Sequence, residues 1–186
     1  MTGVLLIGLL AVLGLTILRI GQLISVHLFV GLLLIGPVTL KVGTTGYRFI
    51  RYYTGKRAYV RRGPPLWALR LLAPFVVLLT AVVFLTGVVL LFNGPQAREP
   101  WLLLHKASFI LWLGATALHV LGHLPGLGGM LGYQRPREEG LTASPGAAGR
   151  WITLAGALVA GLVLALVLVP DFHTWTAAGA IHNHDH

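Results

Sequence analysis

Histidine is the residue type in this sequence best suited to bind a metal ion or a cofactor. Eight histidines are present, and four of them lie within or at the ends of apolar runs: His27, His105, His119 and His123. An ionisable side chain inside a membrane-spanning run is energetically costly and by default indicates a functional site. These four positions are therefore the first candidates for ligands.

The spacing of the last three places them along one stripe of a helix. His105 and His119 are 14 residues apart, which corresponds to ~40° in azimuth and ~21 Å along the helix axis. His123 follows His105 by 18 residues, which is about five whole turns. One helix face thus presents imidazoles at two depths.

A six-coordinate haem iron needs a second axial ligand from a facing helix, and His27 is the remaining candidate. His27 and His105 each lie about four residues into apolar runs that cross the membrane in the same direction. Matched depth predicts that they are the axial ligands of one haem, and Gly31, one turn after His27, would let a macrocycle approach the backbone. The alternative is that both imidazoles only hydrogen-bond to neighbouring helices.

Several stretches also resemble a known family. The H-x13-H spacing of His105 and His119 resembles that of membrane b-type cytochromes that carry two haems. Over about residues 20–124 the chain is similar to small bacterial members of that group, in the stretches His27–Gly31, Lys41–Tyr53, Leu85–Gly87 and Leu104–Trp112. The resemblance implies a helical bundle that holds haem b without covalent attachment and transfers electrons.

One departure from the two-haem pattern leaves the number of haems open. A facing helix normally supplies a second histidine 14 residues after its first, but this position is Lys41. The chain could hold one haem, or two with an unusual partner for His119 or His123, or it could use the inner position otherwise. The i, i+4 pair of His119 and His123 also suits a divalent metal, although no carboxylate lies in the same or an adjacent run.

The C-terminal residues 173–186 are predicted to form a flexible, histidine-rich tail. His182, His184 and His186 alternate with polar residues. Such a tract can bind Cu or Zn, or can simply be polar.

The amino-acid composition predicts that most of the chain lies in a membrane, and the lengths of its apolar runs predict an all-α fold. Hydrophobic residues make up 56% of the 186 and charged residues only 10%, far from the roughly 25% charged residues of soluble domains. Each of five apolar runs is near the ~20 residues that cross a bilayer. The prediction is a single all-α transmembrane bundle over 1–186, with haem-bearing helices within 20–124 and spans at about 3–18, 23–42, 71–92, 101–124 and 151–169.

Turn residues separate the runs. A tight hairpin is expected at Gly21, because one helix through both runs would be ~60 Å long, twice the hydrocarbon thickness. Turns are also predicted at 63–65 and 93–95, where Gly and Pro occur together, and at 124–126. Residues 125–149 are predicted to be a loop with little regular structure.

The distribution of charge argues for a membrane partner and against nucleic acid. The net charge is +9, with 14 Lys and Arg against 5 Asp and Glu, and eight of the basic residues fall between positions 41 and 70. Cytoplasmic loops carry such an excess. The expected location is the bacterial inner membrane, with the N-terminus in the cytoplasm and the C-terminus outside.

Other residues add candidate roles around the site. Arg19 and Lys106, with Arg98, lie near the outer ends of the runs and could neutralise haem propionates or anchor the interface. The stretch 47–53 combines tyrosine and arginine and could contact a quinone, a soluble redox partner or lipid phosphate.

The sequence lacks the residues and motifs of several other kinds of chemistry, which reduces the number of possible functions. Cysteine is absent, which excludes disulfides, iron–sulfur ligation and thioether-linked haem. No dinucleotide fingerprint, phosphate-binding loop or nucleophile elbow is found. We therefore expect an electron-transfer protein or subunit rather than a self-sufficient oxidoreductase. The alternatives are a histidine-based Cu or Zn handling protein and a non-catalytic assembly subunit.

Overall fold

The computed structural model describes the backbone of residues 2–55, 67–132 and 147–177, and the side chains of 3–55, 71–122 and 148–177. This part of the chain is helical and contains no strand. The helices are α1 (Thr2–Leu18), α2 (Ile20–Tyr53), α3 (Trp67–Asn93), α4 (Trp101–Gly132), α5 (Ala147–Leu168) and the short α6 (His173–Thr176). Two 3-10 turns, Pro95–Ala97 and Val169–Phe172, connect α3 to α4 and α5 to α6. The all-α prediction is confirmed.

Four helical segments among the described residues are long and apolar enough to cross a membrane: Ile20–Tyr53, Leu71–Asn93, Trp101–Gly122 and Ala148–Thr176. The first predicted span forms α1, whose 17 residues extend only about 26 Å. This is slightly shorter than the ~30 Å hydrocarbon layer. The chain is thus a membrane protein with four long spans and a shorter apolar helix beside them.

Two helices continue beyond the ends that the sequence predicts. The second span was expected to end near residue 42, but α2 reaches Tyr53, and α4 reaches Gly132 rather than ending near 124. The predicted loop over 125–149 is therefore wrong at both of its ends, where residues 125–132 and 147–149 are helical. Proline removes one backbone donor without ending a helix whose neighbouring bonds remain. Pro37 and Pro74 likewise lie inside helices.

Of the predicted turns that fall on described residues, the two at Gly21 and 93–95 are confirmed, and the one at 124–126 is wrong because α4 continues through it. The backbone leaves helical geometry at Arg19 and again at Leu23, on either side of Gly21, and α1 folds back onto α2. The second turn begins at Gly94, whose φ of 67° lies in the left-handed region that favours glycine. The turn predicted at 63–65 lies outside the described residues.

The bundle is built from two hairpins and one added helix. Helix α1 packs on α2, and α3 packs on α4, while α5 lies along the other side of α2. A Cβ built on Gly36 would overlap the carbonyl of Ala157, and one on Gly161 would overlap the carbonyl of Leu33. The small residues around Gly161 therefore allow α5 and α2 to meet backbone to backbone, as small residues in membrane helices commonly do.

The end of the bundle near Arg19 is closed by residues after α5. Trp175 is only 7% exposed, and its Nε1 donates to the carbonyls of Leu90 (3.2 Å) and Leu91 (3.4 Å). The flexible tail predicted from residue 173 therefore does not begin there, because burial of a large indole and its hydrogen bonds order this turn. Residues 178–186 lie outside the described part.

Candidate histidine site

His27 lies on α2, about two turns after the helix begins, and is half-buried. Its Nδ1 is 2.8 Å from the hydroxyl of Thr16, which comes from α1. Thr16 is 2% exposed, and its hydroxyl donates to the backbone carbonyl of Leu13 one turn earlier. The hairpin between α1 and α2 thus supplies both the imidazole and its partner.

His105 lies in the second turn of α4 and is also half-buried. Its Nδ1 is 2.9 Å from the hydroxyl of Thr86 on α3. Thr86 is 4% exposed, and its hydroxyl donates to the carbonyls of Val82 (2.7 Å) and Val83 (3.0 Å). The second hairpin repeats the arrangement of the first, with threonine on the first helix and histidine on the second.

The structure brings these two imidazoles together. Both lie at the Arg19 end of the bundle, where Leu28, beside His27, and Leu102, one turn before His105, pack against the same apolar cluster. The sequence predicted that they share a depth, and the fold places them there on separate helices, α2 and α4. Their roles as ligands stay a prediction.

The threonine contacts indicate which ring nitrogens are available to bind a ligand. A hydroxyl has one hydrogen, and both hydroxyls give it to a backbone carbonyl, so each acts as acceptor toward the imidazole. We therefore assign the proton of each neutral ring to Nδ1. Each Nε2 then keeps a lone pair, which is what coordination to a metal requires.

The contact between α3 and α4 is close around His105. A Cβ built on Gly87 would lie 3.3 Å from Cε1 of His105, so a larger residue here would require the imidazole to move by a few tenths of an ångström. Two turns further along, the indole Nε1 of Trp112 donates to the hydroxyl of Thr80 at 2.8 Å. These contacts hold α4 closely against α3, and only the first of them involves the His105 ring.

Space remains beside His27. No atom lies within 4 Å of a Cβ built on Gly31, one turn further along α2. The sequence predicted that Gly31 leaves room for a macrocycle, and this open position fits a planar group placed against α2.

The charged residues predicted near the site are at its margin. Arg19 is exposed in the turn between α1 and α2, and Lys106 is exposed beside His105. Arg98, half-buried, follows the 3-10 turn before α4. All three lie at the end of the bundle that holds the paired imidazoles, whereas Lys41 is exposed further along α2.

Of the other predicted histidines, only His119 has a described side chain, and it does not join this pair. His119 is half-buried on α4, 14 residues further along the helix than His105. The side chain of His123, and residues His182, His184 and His186, lie outside the described part. Within the described residues no group of three or more His, Cys, Asp or Glu is placed to hold a metal ion.

Sequence reasoning missed Thr16 and Thr86, although the predicted turns contained the signal. The midpoint of positions 16 and 27 is 21.5, beside the predicted turn at Gly21. The midpoint of 86 and 105 is 95.5, beside the predicted turn at 93–95, and Thr80 and Trp112 share almost the same midpoint, 96. Reflecting each histidine across its predicted turn gives positions 15 and 83, one residue from Thr16 and three residues from Thr86.

Comparison with protein-family models, with curated proteins and with solved structures finds no match to this chain.

Proposed function

We propose that this chain is a membrane-embedded b-type cytochrome that transfers electrons, with His27 and His105 as axial ligands of one haem b. The observation that carries the proposal is that two imidazoles on separate helices lie at the same end of the bundle, beside side chains that pack in one apolar cluster. Haem b would supply one-electron redox chemistry, and non-covalent ligation is the mode open to a chain without cysteine.

The protein's own residues would do three things for such a group. The two Nε2 atoms would bind iron from opposite sides, and the open position at Gly31 would admit the ring edge. The apolar side chains around the pair, such as Leu28 and Val88, would keep water away. Arg19 and Lys106, exposed at the same end, would neutralise the propionates.

The proposal is for a relay within a larger electron-transfer chain. The sequence has no flavin or nicotinamide motif, so electrons would come from and go to a quinone or a redox partner protein. The exposed residues Tyr47 and Arg48, with Tyr53 at the end of α2, are candidates for contact with such a partner or with lipid phosphate. One haem is proposed, because no histidine occurs between positions 28 and 104 to face His119.

We further propose that the Arg19 end of the bundle faces outside in a bacterial inner membrane. The basic residues between positions 41 and 70 would then be cytoplasmic, as the positive-inside rule requires.

The test is the absorption spectrum of the purified protein in detergent. We expect a dithionite-reducible b-type spectrum, lost in His27→Ala and in His105→Ala. His173→Ala is the matched control, because this exposed histidine bonds to its own turn at the Pro170 carbonyl. Its spectrum should equal that of the unaltered protein.

Other outcomes would point to the alternatives. Full haem in both alanine variants would refute the ligand pair, and a loss of about half the haem in His119→Ala would indicate a second haem. A colourless protein that binds Cu or Zn stoichiometrically would support metal handling, and one with neither haem nor metal would support an assembly subunit.

A further inference from the structure

The three polar residues of the described part that are buried as whole residues each bond to His27 or His105. Three such side chains are buried: Thr16 (2% exposed), Thr86 (4%) and Ser108 (3%). The first two contact the histidine rings, and the hydroxyl of Ser108 donates to the backbone carbonyl of His105 at 3.0 Å. Burial of a polar side chain costs free energy unless it is hydrogen-bonded, and at these three residues the bonds reach the two histidines.

We propose that Thr16 and Thr86 are positioning residues that fix the Nδ1–H tautomer of His27 and His105, aim each Nε2 at the shared ligand, and lower the reduction potential of the bound iron. Only the effect on the reduction potential rests on the proposed function. The tautomer and the orientation follow from the hydrogen bonds whether or not iron is the ligand.

The chemistry of the contact gives the direction of the effect. Each threonine hydroxyl donates its hydrogen to a carbonyl of its own helix, which leaves electron density on the oxygen that accepts from Nδ1–H. An imidazole that donates such a bond is a more basic ligand through its other nitrogen. A more basic ligand favours the oxidised, more highly charged iron, so the potential falls.

The two contacts are equivalent in geometry but lie in different hairpins. Thr16 acts from α1, and Thr86 acts from α3, where Gly87 also packs on the His105 ring. Each histidine is thus oriented by a contact within its own hairpin. Helix α1, the shortest of the apolar helices, would thus serve to hold His27 in place through Thr16.

The test compares valine and serine at each position. Thr16→Val and Thr86→Val remove the hydroxyl and keep the volume, whereas Thr16→Ser and Thr86→Ser keep the hydroxyl. Thr80→Val is the matched control, because Thr80 lies on α3 but bonds to Trp112 rather than to a histidine. The readouts are the midpoint potential of the haem and its dissociation constant.

We expect a higher potential and a roughly 10–100-fold weaker binding of haem in the valine variants. The serine variants should return towards the unaltered protein, and Thr80→Val should leave the potential unchanged. Valine variants with an unchanged potential and unchanged haem retention would overturn the positioning role.

A second measurement separates this inference from the proposed function. Nitrogen-15 NMR of histidine-labelled protein without haem should show Nδ1–H tautomers at His27 and His105, and a mixture of tautomers in the valine variants. If the unaltered protein shows Nδ1–H but binds no haem, the proposed function fails and the positioning stands. If the unaltered protein shows Nε2–H at these two rings, the positioning fails.

Discussion

Each of the two central imidazoles meets a neutral hydroxyl rather than a carboxylate. A carboxylate would add a charge that the bundle, with its low dielectric, would have to compensate. A threonine that also bonds to its own helix brings no net charge and needs no further partner. The site is therefore organised by hydrogen bonds that cost little inside a membrane.

The open position at Gly31 gives a direct test of where a macrocycle would lie. No atom lies within 4 Å of a Cβ at Gly31 or at Gly14 on α1, so alanine at either position is compatible with the protein alone. With a haem beside His27, Gly31→Ala would crowd the ring at a cost of about 1–3 kcal/mol. This corresponds to a loss of affinity of roughly five-fold or more.

Haem titration of the two variants is the measurement. Gly14→Ala should bind haem as the unaltered protein does, and both variants should keep their thermal stability. Equal affinity in Gly31→Ala and Gly14→Ala would show that the ring does not approach this part of α2.

Among single residues, sequence reasoning identified the histidines more readily than their partners. His27 and His105 could be found because an ionisable side chain in an apolar run is rare. Thr16 and Thr86 could not be found by type, because threonine in a membrane helix usually bonds to its own backbone, as Thr80 and Thr153 do here. Their second bond, across the hairpin, depends on the register that the turn sets.

At the scale of the helices, α2 is the element on which the others depend. It carries His27, forms a hairpin with α1 and meets α5 through Gly36 and Gly161. Its 34 residues extend about 51 Å, well beyond the ~30 Å hydrocarbon layer. After the break at Leu23, and with Pro37 inside it, one helix therefore joins His27 to the basic residues near Tyr53.

The glycine contact between α2 and α5 predicts a sharp loss of stability on substitution. In Gly161→Ala the new methyl would overlap the Leu33 carbonyl, a backbone atom that cannot move without shifting α2. We expect a destabilisation of at least the ~1–3 kcal/mol that overpacking costs, measured by thermal or denaturant unfolding in detergent.

Gly156→Ala is the control on the same helix, since its Cβ would have no atom within 4 Å. Alanine favours helix over glycine by up to ~1 kcal/mol, so this variant should be as stable as the unaltered protein or slightly more so. Equal destabilisation of the two variants would mean that α5 does not pack through Gly161.

The ends of helices were predicted less well than their existence. Hydropathy reports where the membrane ends, and it therefore placed the end of the second span near residue 42. A helix does not need to end there, because its backbone hydrogen bonds are internal and exposed residues such as Arg48 and Tyr53 tolerate water. The extension of α2 and the continuation of α4 through position 125 both have this cause.

On the scale of the whole molecule, the direction of each span through the membrane can be tested with introduced cysteines. The chain has no cysteine, so any introduced thiol is unique. Tyr53 and Gln96 are both exposed and lie at opposite ends of the bundle. In the proposed orientation, Gln96→Cys reacts with a membrane-impermeant maleimide in intact cells, whereas Tyr53→Cys reacts only after permeabilisation.

The unaltered protein, which has no thiol to label, is the negative control for this experiment. The reverse pattern would place the Arg19 end in the cytoplasm and overturn the orientation. If both thiols were labelled in intact cells, α3 would not cross the membrane as proposed.

The contact made by Trp175 has a consequence for the order in which the protein is completed. Trp175 is translated 70 residues after His105 (175 − 105), and its indole bonds to carbonyls at the end of α3. The two hairpins that present His27 and His105 are therefore synthesised well before the residue that closes their end of the bundle. If the proposed function holds, a haem delivered during synthesis would meet this end of the bundle before Trp175 has docked on α3, and a haem delivered afterwards would meet it with the tryptophan in place.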